Sequence, residues 1–244
     1  MKINLSLSAE FYFQQGLRAN QVEEYETAIA HLDKALLCQQ NYSAAWAERG
    51  VALGKQGRHY EAIANFDLAL SIQPNKCGIW HNRGIALGKL GEYEAAINSF
   101  DRAIKLNPKI STFWHNRGIT LIECGRYSCA VTSFDQALKL HPQSHWAWYN
   151  RGTALLQLHR YEKALISFDC AIDFFPDFFQ AWYSRGMALS GWGYYEKAVV
   201  SFNKAIEINP NYKQAIYNLG IALEKLGRYS EALTYFNKET RSQT

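Results

Sequence analysis

The chain has 244 residues, 48% of them hydrophobic and 14% aromatic, with a formal charge of +4 at pH 7. That much apolar material excludes wholesale disorder, and no apolar run approaches the roughly 18 residues that a membrane span requires. The charge is spread along the chain without a basic run, so charge alone points to no acidic partner.

The first stretch, residues 1–8, alternates Ile3, Leu5 and Leu7 with polar residues and lacks the sustained apolar core of a signal peptide. Two readings of it stay open, an N-terminal tail or a segment that covers the first structural unit. From residue 9 onward the chain repeats itself with a period of 34. The copies are 9–42, 43–76, 77–110, 111–144, 145–178, 179–212 and 213–244. A fixed period of this size marks a solenoid, in which each unit contacts only its neighbours and the units share one elongated core.

The copy at 77–110 shows the unit most clearly. Apolar residues at Trp80, Gly84 and Leu87, and again at Ala96, Phe100, Ala103 and Ile104, follow the spacing of two amphipathic helices. The first is expected from about Gly78 to Leu90. Gly91 breaks it, Glu92 and Tyr93 open the second, and Pro108 ends that one. Glycine recurs in the Gly84 column at Gly16, Gly50, Gly118, Gly152, Gly186 and Gly220. Glycine inside a helix costs about 0.8–1 kcal/mol against alanine, so close packing must offset it. The expectation is that Gly84 and Ala96 meet where the two helices cross, with Trp80 and Phe100 filling the space beside them.

In this order and at this period, Trp80, Gly84, Leu87, Ala96, Phe100, Ala103 and Pro108 resemble the tetratricopeptide repeat, over residues 9–244. The resemblance implies an all-α fold, a right-handed superhelical solenoid of antiparallel helix pairs. It also implies a non-catalytic scaffold or adaptor that binds a protein or peptide segment on the concave face, which the first helices line. Two columns depart from the family pattern, with Arg83 where leucine is common and Leu87 where tyrosine is. Arg49, Arg83, Arg117 and Arg151 accompany Asp67, Asp101, Asp135 and Asp169, and Arg185 accompanies Asn203. A ladder of Arg–Asp contacts is expected between first and second helices, within or between repeats. In the last copy the closing columns hold Glu239, Thr240 and Ser242, a polar face suited to a terminal repeat.

Nothing in the sequence resembles a catalytic or cofactor motif, so an enzyme is not expected and no cofactor is implied. The five cysteines are scattered and odd in number, which fits half-buried thiols in a reducing, cytoplasmic setting. His81 and His115 share a column; two imidazoles are too few for a metal site and are read as lining a groove.

By resemblance the concave face takes the columns of Gly78, His81, Asn82, Ile85, Gly88 and Lys89. The candidate peptide-binding residues are therefore His81, Asn82, Ile85 and Lys89; His115, Asn116 and Ile119; Trp146, Tyr149, Asn150 and Thr153; Tyr183, Ser184 and Met187; and Tyr217 and Asn218. A spaced row of side-chain amides can hold an extended backbone without reading its sequence, and the apolar and aromatic columns offer seats for anchors. The bland alternative is that the asparagines bond neighbouring helices. Lys55 and Lys89 are the only cations in these columns before Lys225, too few for the lysine, arginine and asparagine clamp by which some family members hold a terminal carboxylate. Aromatic residues crowd into 145–212, where Phe174 occupies a core column and Phe175 and Phe178 flank a turn. Two other functions compete with this reading. Single-stranded RNA binding lacks the expected basic footprint, so no nucleic acid is expected. Self-assembly is opposed by the polar Glu239 end, so a monomer is expected.

Overall fold

The computed structural model describes residues 5–241, and the side chains of residues 9–236. Fourteen helices fill this span and fall into two compact units, residues 1–124 and 125–244. The first unit holds α1 (Leu5–Gln21), α2 (Tyr25–Cys38), α3 (Ser43–Lys55), α4 (His59–Ile72), α5 (Cys77–Lys89), α6 (Tyr93–Leu106) and α7 (Ser111–Glu123). The second holds α8 (Tyr127–Leu140), α9 (His145–Gln157), α10 (Tyr161–Phe174), α11 (Phe179–Gly191), α12 (Tyr195–Ile208), α13 (Lys213–Lys225) and α14 (Tyr229–Arg241). Within each unit a helix packs against the helices before and after it, and first helices such as α3 and α5, or α9 and α11, also touch. Helix α1 begins at Leu5. The side chains of residues 1–8 and of Glu239, Thr240 and Ser242, on which the end-covering expectations rest, lie outside the described residues.

The glycine column seats the phenylalanine ring more directly than expected. A β-carbon on Gly84 would stand 2.8 Å from Cε1 of Phe100, and one on Gly186 would stand 2.5 Å from Cε1 of Phe202. The glycine is thus the seat of the phenylalanine ring 16 residues on, and at Gly16, where Leu32 replaces the ring, the Ala28 carbonyl also lies within 3.3 Å of the β-carbon position. The ring occupies the space that a methyl group at the glycine would need. Phe100, Phe168 and Phe202 are accordingly buried, and the alanines of the Ala96 column are buried beside them. Burying each ring contributes about 1.5–3 kcal/mol, more than the helix propensity lost at the glycine.

The turn inside each hairpin has one left-handed residue at the same column. Gly91 has φ +78°, and the amide of Glu92 donates across it to the Leu87 carbonyl at 3.0 Å, closing the helix end. Glu23 and His159 adopt this conformation without being glycine, at φ 63° and 56°.

The link between repeats is tied by tryptophan. The indole Nε1 of Trp80 donates to the Pro74 carbonyl at 2.8 Å, and Trp148 and Trp182 do the same to Pro142 and Pro176 at 2.8 and 2.9 Å. Trp46 reaches the carbonyl of Gln40, where the proline is missing, at 2.8 Å. The bond depends on the backbone rather than on the ring of the proline.

The arginine ladder runs between repeats. Each Arg Nε donates to the aspartate 16 residues earlier: Arg49 to Asp33 at 2.6 Å, Arg83 to Asp67, Arg117 to Asp101 and Arg151 to Asp135 at 2.7 Å, and Arg185 to Asp169 at 2.6 Å. The second branch of the guanidinium reaches forward within its own repeat, from Arg83 to Ser99 at 2.9 Å and from Arg151 to Ser167 at 2.7 Å. Asp33 therefore joins the set, and the companion of Arg185 is Asp169, not Asn203.

The aromatic run is reversed in its burial. Phe174 and Phe175 are 47% and 44% exposed, whereas Phe178 is 2% exposed. Phe174 ends α10 on its outward side. Phe178 caps α11 and packs among Trp146, Tyr149 and Phe175.

Candidate functional site

In the first unit the expected columns come together. Asn82, Ile85 and Lys89 of α5 meet Val51, Gly54 and Lys55 of α3 and His59 of α4 around a cleft of about 290 Å³. Ile85 and Lys89 also line the next cleft, of about 450 Å³, with Asn116, Ile119 and Glu123 of α7 and Tyr93 of α6. The clefts follow from the helix geometry: residues 82, 85 and 89 sit three and four apart on one face, and the small Gly54 and Gly88 leave room between neighbouring helices. The floors are apolar, formed by Phe66 in the first cleft and Phe100 in the second. Among the described residues neither Lys55 nor Lys89 is held in an ion pair.

His81 is turned inward. Its ring lies 4.8 Å from that of Phe113 and 5.8 Å from that of Phe100, and the Asn116 amide donates to its Nε2 at 2.8 Å. Burial holds the imidazole below the ordinary histidine range, against a weaker opposing hydrogen bond with Asn82. Burial lowers the His115 pKa as well. Both side chains are half-buried, so they space the helices more than they line an open groove.

The second unit divides its candidates. Trp146 and Tyr217 are 48% and 46% exposed and present ring surface to solvent. Tyr149, Asn150, Thr153 and Tyr183 are half-buried. Tyr149 packs on Phe178 at 5.0 Å, and the Thr153 hydroxyl donates back to the Tyr149 carbonyl at 3.0 Å. Asn218 donates to the Tyr183 hydroxyl at 3.1 Å and to the Gln214 carbonyl at 2.8 Å. Burial raises the Tyr183 pKa, with a smaller contribution from Tyr149. Ser184 is only 8% exposed and belongs to the interior, whereas Met187 is half-buried and packs against the core around Leu219 and Leu223. Asn116 and Asn218 bond the residue 35 positions earlier, a neighbour-bonding role that the amide column shares with whatever it offers a partner.

Sequence reasoning passed over His59, Tyr93 and Glu123. Tyr93 belongs to a column that reads Tyr25, His59, Tyr93, Tyr127, Tyr161, Tyr195 and Tyr229. The one departure from tyrosine in this column, His59, is the signal that could have been seen.

Tetratricopeptide-repeat profiles match residues 79–110 and 145–178, 43–76, and 215–244, and a TPR-repeat profile matches 120–159 and 193–227. Together they span more than half of the chain. It belongs to the tetratricopeptide-repeat family. No curated protein sequence matches the chain. Among solved structures it is similar to a tetratricopeptide repeat protein from Parabacteroides merdae, with a TM-score of 0.73 and 20% identity over 96% of this chain and 93% of that one. MamA from Desulfovibrio magneticus is 27% identical, with a TM-score of 0.66 over 69% of this chain and 97% of that one. YrrB, described as a TPR protein with an unusual peptide-binding site, is 20% identical, with a TM-score of 0.67 over 76% of this chain and 95% of that one. These likenesses establish the tetratricopeptide fold of tandem helix pairs. Among the described residues no helix is long and apolar enough to cross a membrane.

Proposed function

We propose that this tetratricopeptide-repeat protein is a non-catalytic interaction module that holds an extended segment of a partner protein across α3, α5 and α7. The observation that carries the reading is the pair of adjoining clefts, which share Ile85 and Lys89 and so form one track over three successive first helices. Neighbouring packed helices lie about 8–10 Å apart, and an extended chain advances about 3.3 Å per residue. The track therefore spans about five or six residues of partner. Apolar floors under Ile85 and Ile119 seat side chains, while Asn82 offers an amide to the partner backbone. The peptide-binding site named for YrrB supports the class of ligand and says nothing of its sequence. A monomer in a reducing, cytoplasmic setting, as its scattered thiols suggest, completes the reading.

Lysine-directed crosslinking of the chain with its captured partner, followed by mass spectrometry, tests this placement. Crosslinks from Lys55 and Lys89 to one short partner segment are expected. Capture with crosslinks only to lysines outside these clefts would overturn it.

A further inference from the structure

We infer that the cleft between α3 and α5 receives an acidic side chain of the partner segment, and that an apolar residue about three positions away enters the cleft between α5 and α7. This rests on the peptide-binding reading above and names the chemistry of its ligand.

The two clefts differ in charge. The first is lined by Lys55, Lys89 and His59, together with Asn82 and the apolar Val51, Ile85, Ala86 and Phe66, and no carboxylate lines it. Both lysines are exposed and neither is ion-paired among the described residues, so their charge is directed at solvent or at a ligand. Two like charges bordering one apolar-floored cleft favour a single carboxylate between them, which each ammonium group can reach on its four-carbon stem. The imidazole of His59 occurs here where the six other copies carry tyrosine, so this cleft differs from the adjoining one, which Tyr93 lines. Its Nδ1 is buried and makes no hydrogen bond among the described residues.

The second cleft balances Lys89 with Glu123 and is floored by Ile85, Ile119 and Phe100. With one charge of each sign it gives no preference to an acidic side chain, and Glu123 disfavours one. Its larger volume, about 450 Å³ against 290 Å³, suits a branched or aromatic residue. The helix spacing of about 8–10 Å sets the two anchors about three residues apart on an extended segment.

The test is selection of a random library of peptides of about twelve residues on the full chain. The peptides are fused to their carrier through their C-termini, so that only side chains present carboxylates. Asp or Glu is expected to be enriched about three positions from an apolar residue. An enriched peptide should bind at least about tenfold more weakly to the Lys55→Glu/Lys89→Glu variant, with unchanged melting, and more weakly in high salt. Enrichment of peptides without acidic residues, abolished by Ile85→Glu, would overturn the acidic assignment while leaving peptide binding in place. The same peptides enriched on the native chain and on Ile85→Glu would overturn both.

Discussion

Arg151 holds Asp135 of the preceding repeat and Ser167 of its own, both at 2.7 Å, while its guanidinium lies 5.7 Å from the ring centroid of Trp148. One side chain thereby ties α9 to both α8 and α10 and lies over the indole that anchors the repeat junction. Where the aspartate column changes to Asn203, the arginine 16 residues later is replaced by Leu219, which is fully buried. The two columns change together.

Replacing Arg151 by leucine is expected to lower stability by about 1–3 kcal/mol, because two charge-assisted bonds are lost and a buried serine loses a donor. Lysine should restore only part of it, having no fork to serve both partners. The double change Arg151→Leu/Asp135→Asn, which copies the Leu219 and Asn203 pair, should be less destabilised than the sum of its parts. By contrast Arg58→Ala, which breaks a solvent-exposed ion pair with Glu61, should cost much less than Arg151→Leu. Denaturant melts of these variants, of Asp135→Asn and of the native chain check this. Equal losses from Arg151→Leu and Arg58→Ala would show that the ladder contributes nothing beyond surface pairing.

The glycine column makes an opposite pair of predictions. Gly186→Ala should destabilise by about 1–3 kcal/mol, because the new methyl would stand 2.5 Å from Phe202 Cε1 and displace the ring. Gly54→Ala meets only the Ala62 Cβ, at 3.8 Å, and should stabilise by up to about 1 kcal/mol through helix propensity. Thermal melts that moved in the same direction would contradict the account of the column.

These columns show what the sequence made legible. Helix boundaries followed from the apolar spacing and from Gly91 and Pro108, since each acts on its own few residues. That the Phe100 ring would lie directly on Gly84 was not legible, because Ala96 and Phe100 are both apolar, regular and fully buried. The direction of the ladder was hidden for a similar reason, since a period of 34 cannot say whether a column pairs within its repeat or with the one before. The site was partly legible. Asn82, Ile85 and Ile119 were expected on the concave face from the family resemblance and line the clefts, but Ser184, in the Asn82 column, is buried, because the depth of a column varies with the size of its neighbours.

Stability should fall as pH drops below the ordinary histidine value of about 6.5. Burial lowers the His81 and His115 pKa values in the folded chain, so the unfolded chain takes up protons first and is favoured as pH falls. The loss should level off once the folded imidazoles also protonate. An NMR titration of His81 should show a midpoint below about 6.5, and His81→Phe should flatten the pH dependence of the melting temperature. A midpoint at or above the ordinary value would contradict the buried, Asn116-bonded ring.

The most direct test of the peptide track is the affinity of a captured partner segment for Ile85→Glu. Ile85 lines both clefts and is 39% exposed, so the change puts a charge into the track with little effect on the core. Binding at least about tenfold weaker, with an unchanged helical spectrum and melt, is the result expected. Undiminished affinity would contradict the placement of the partner across α3, α5 and α7.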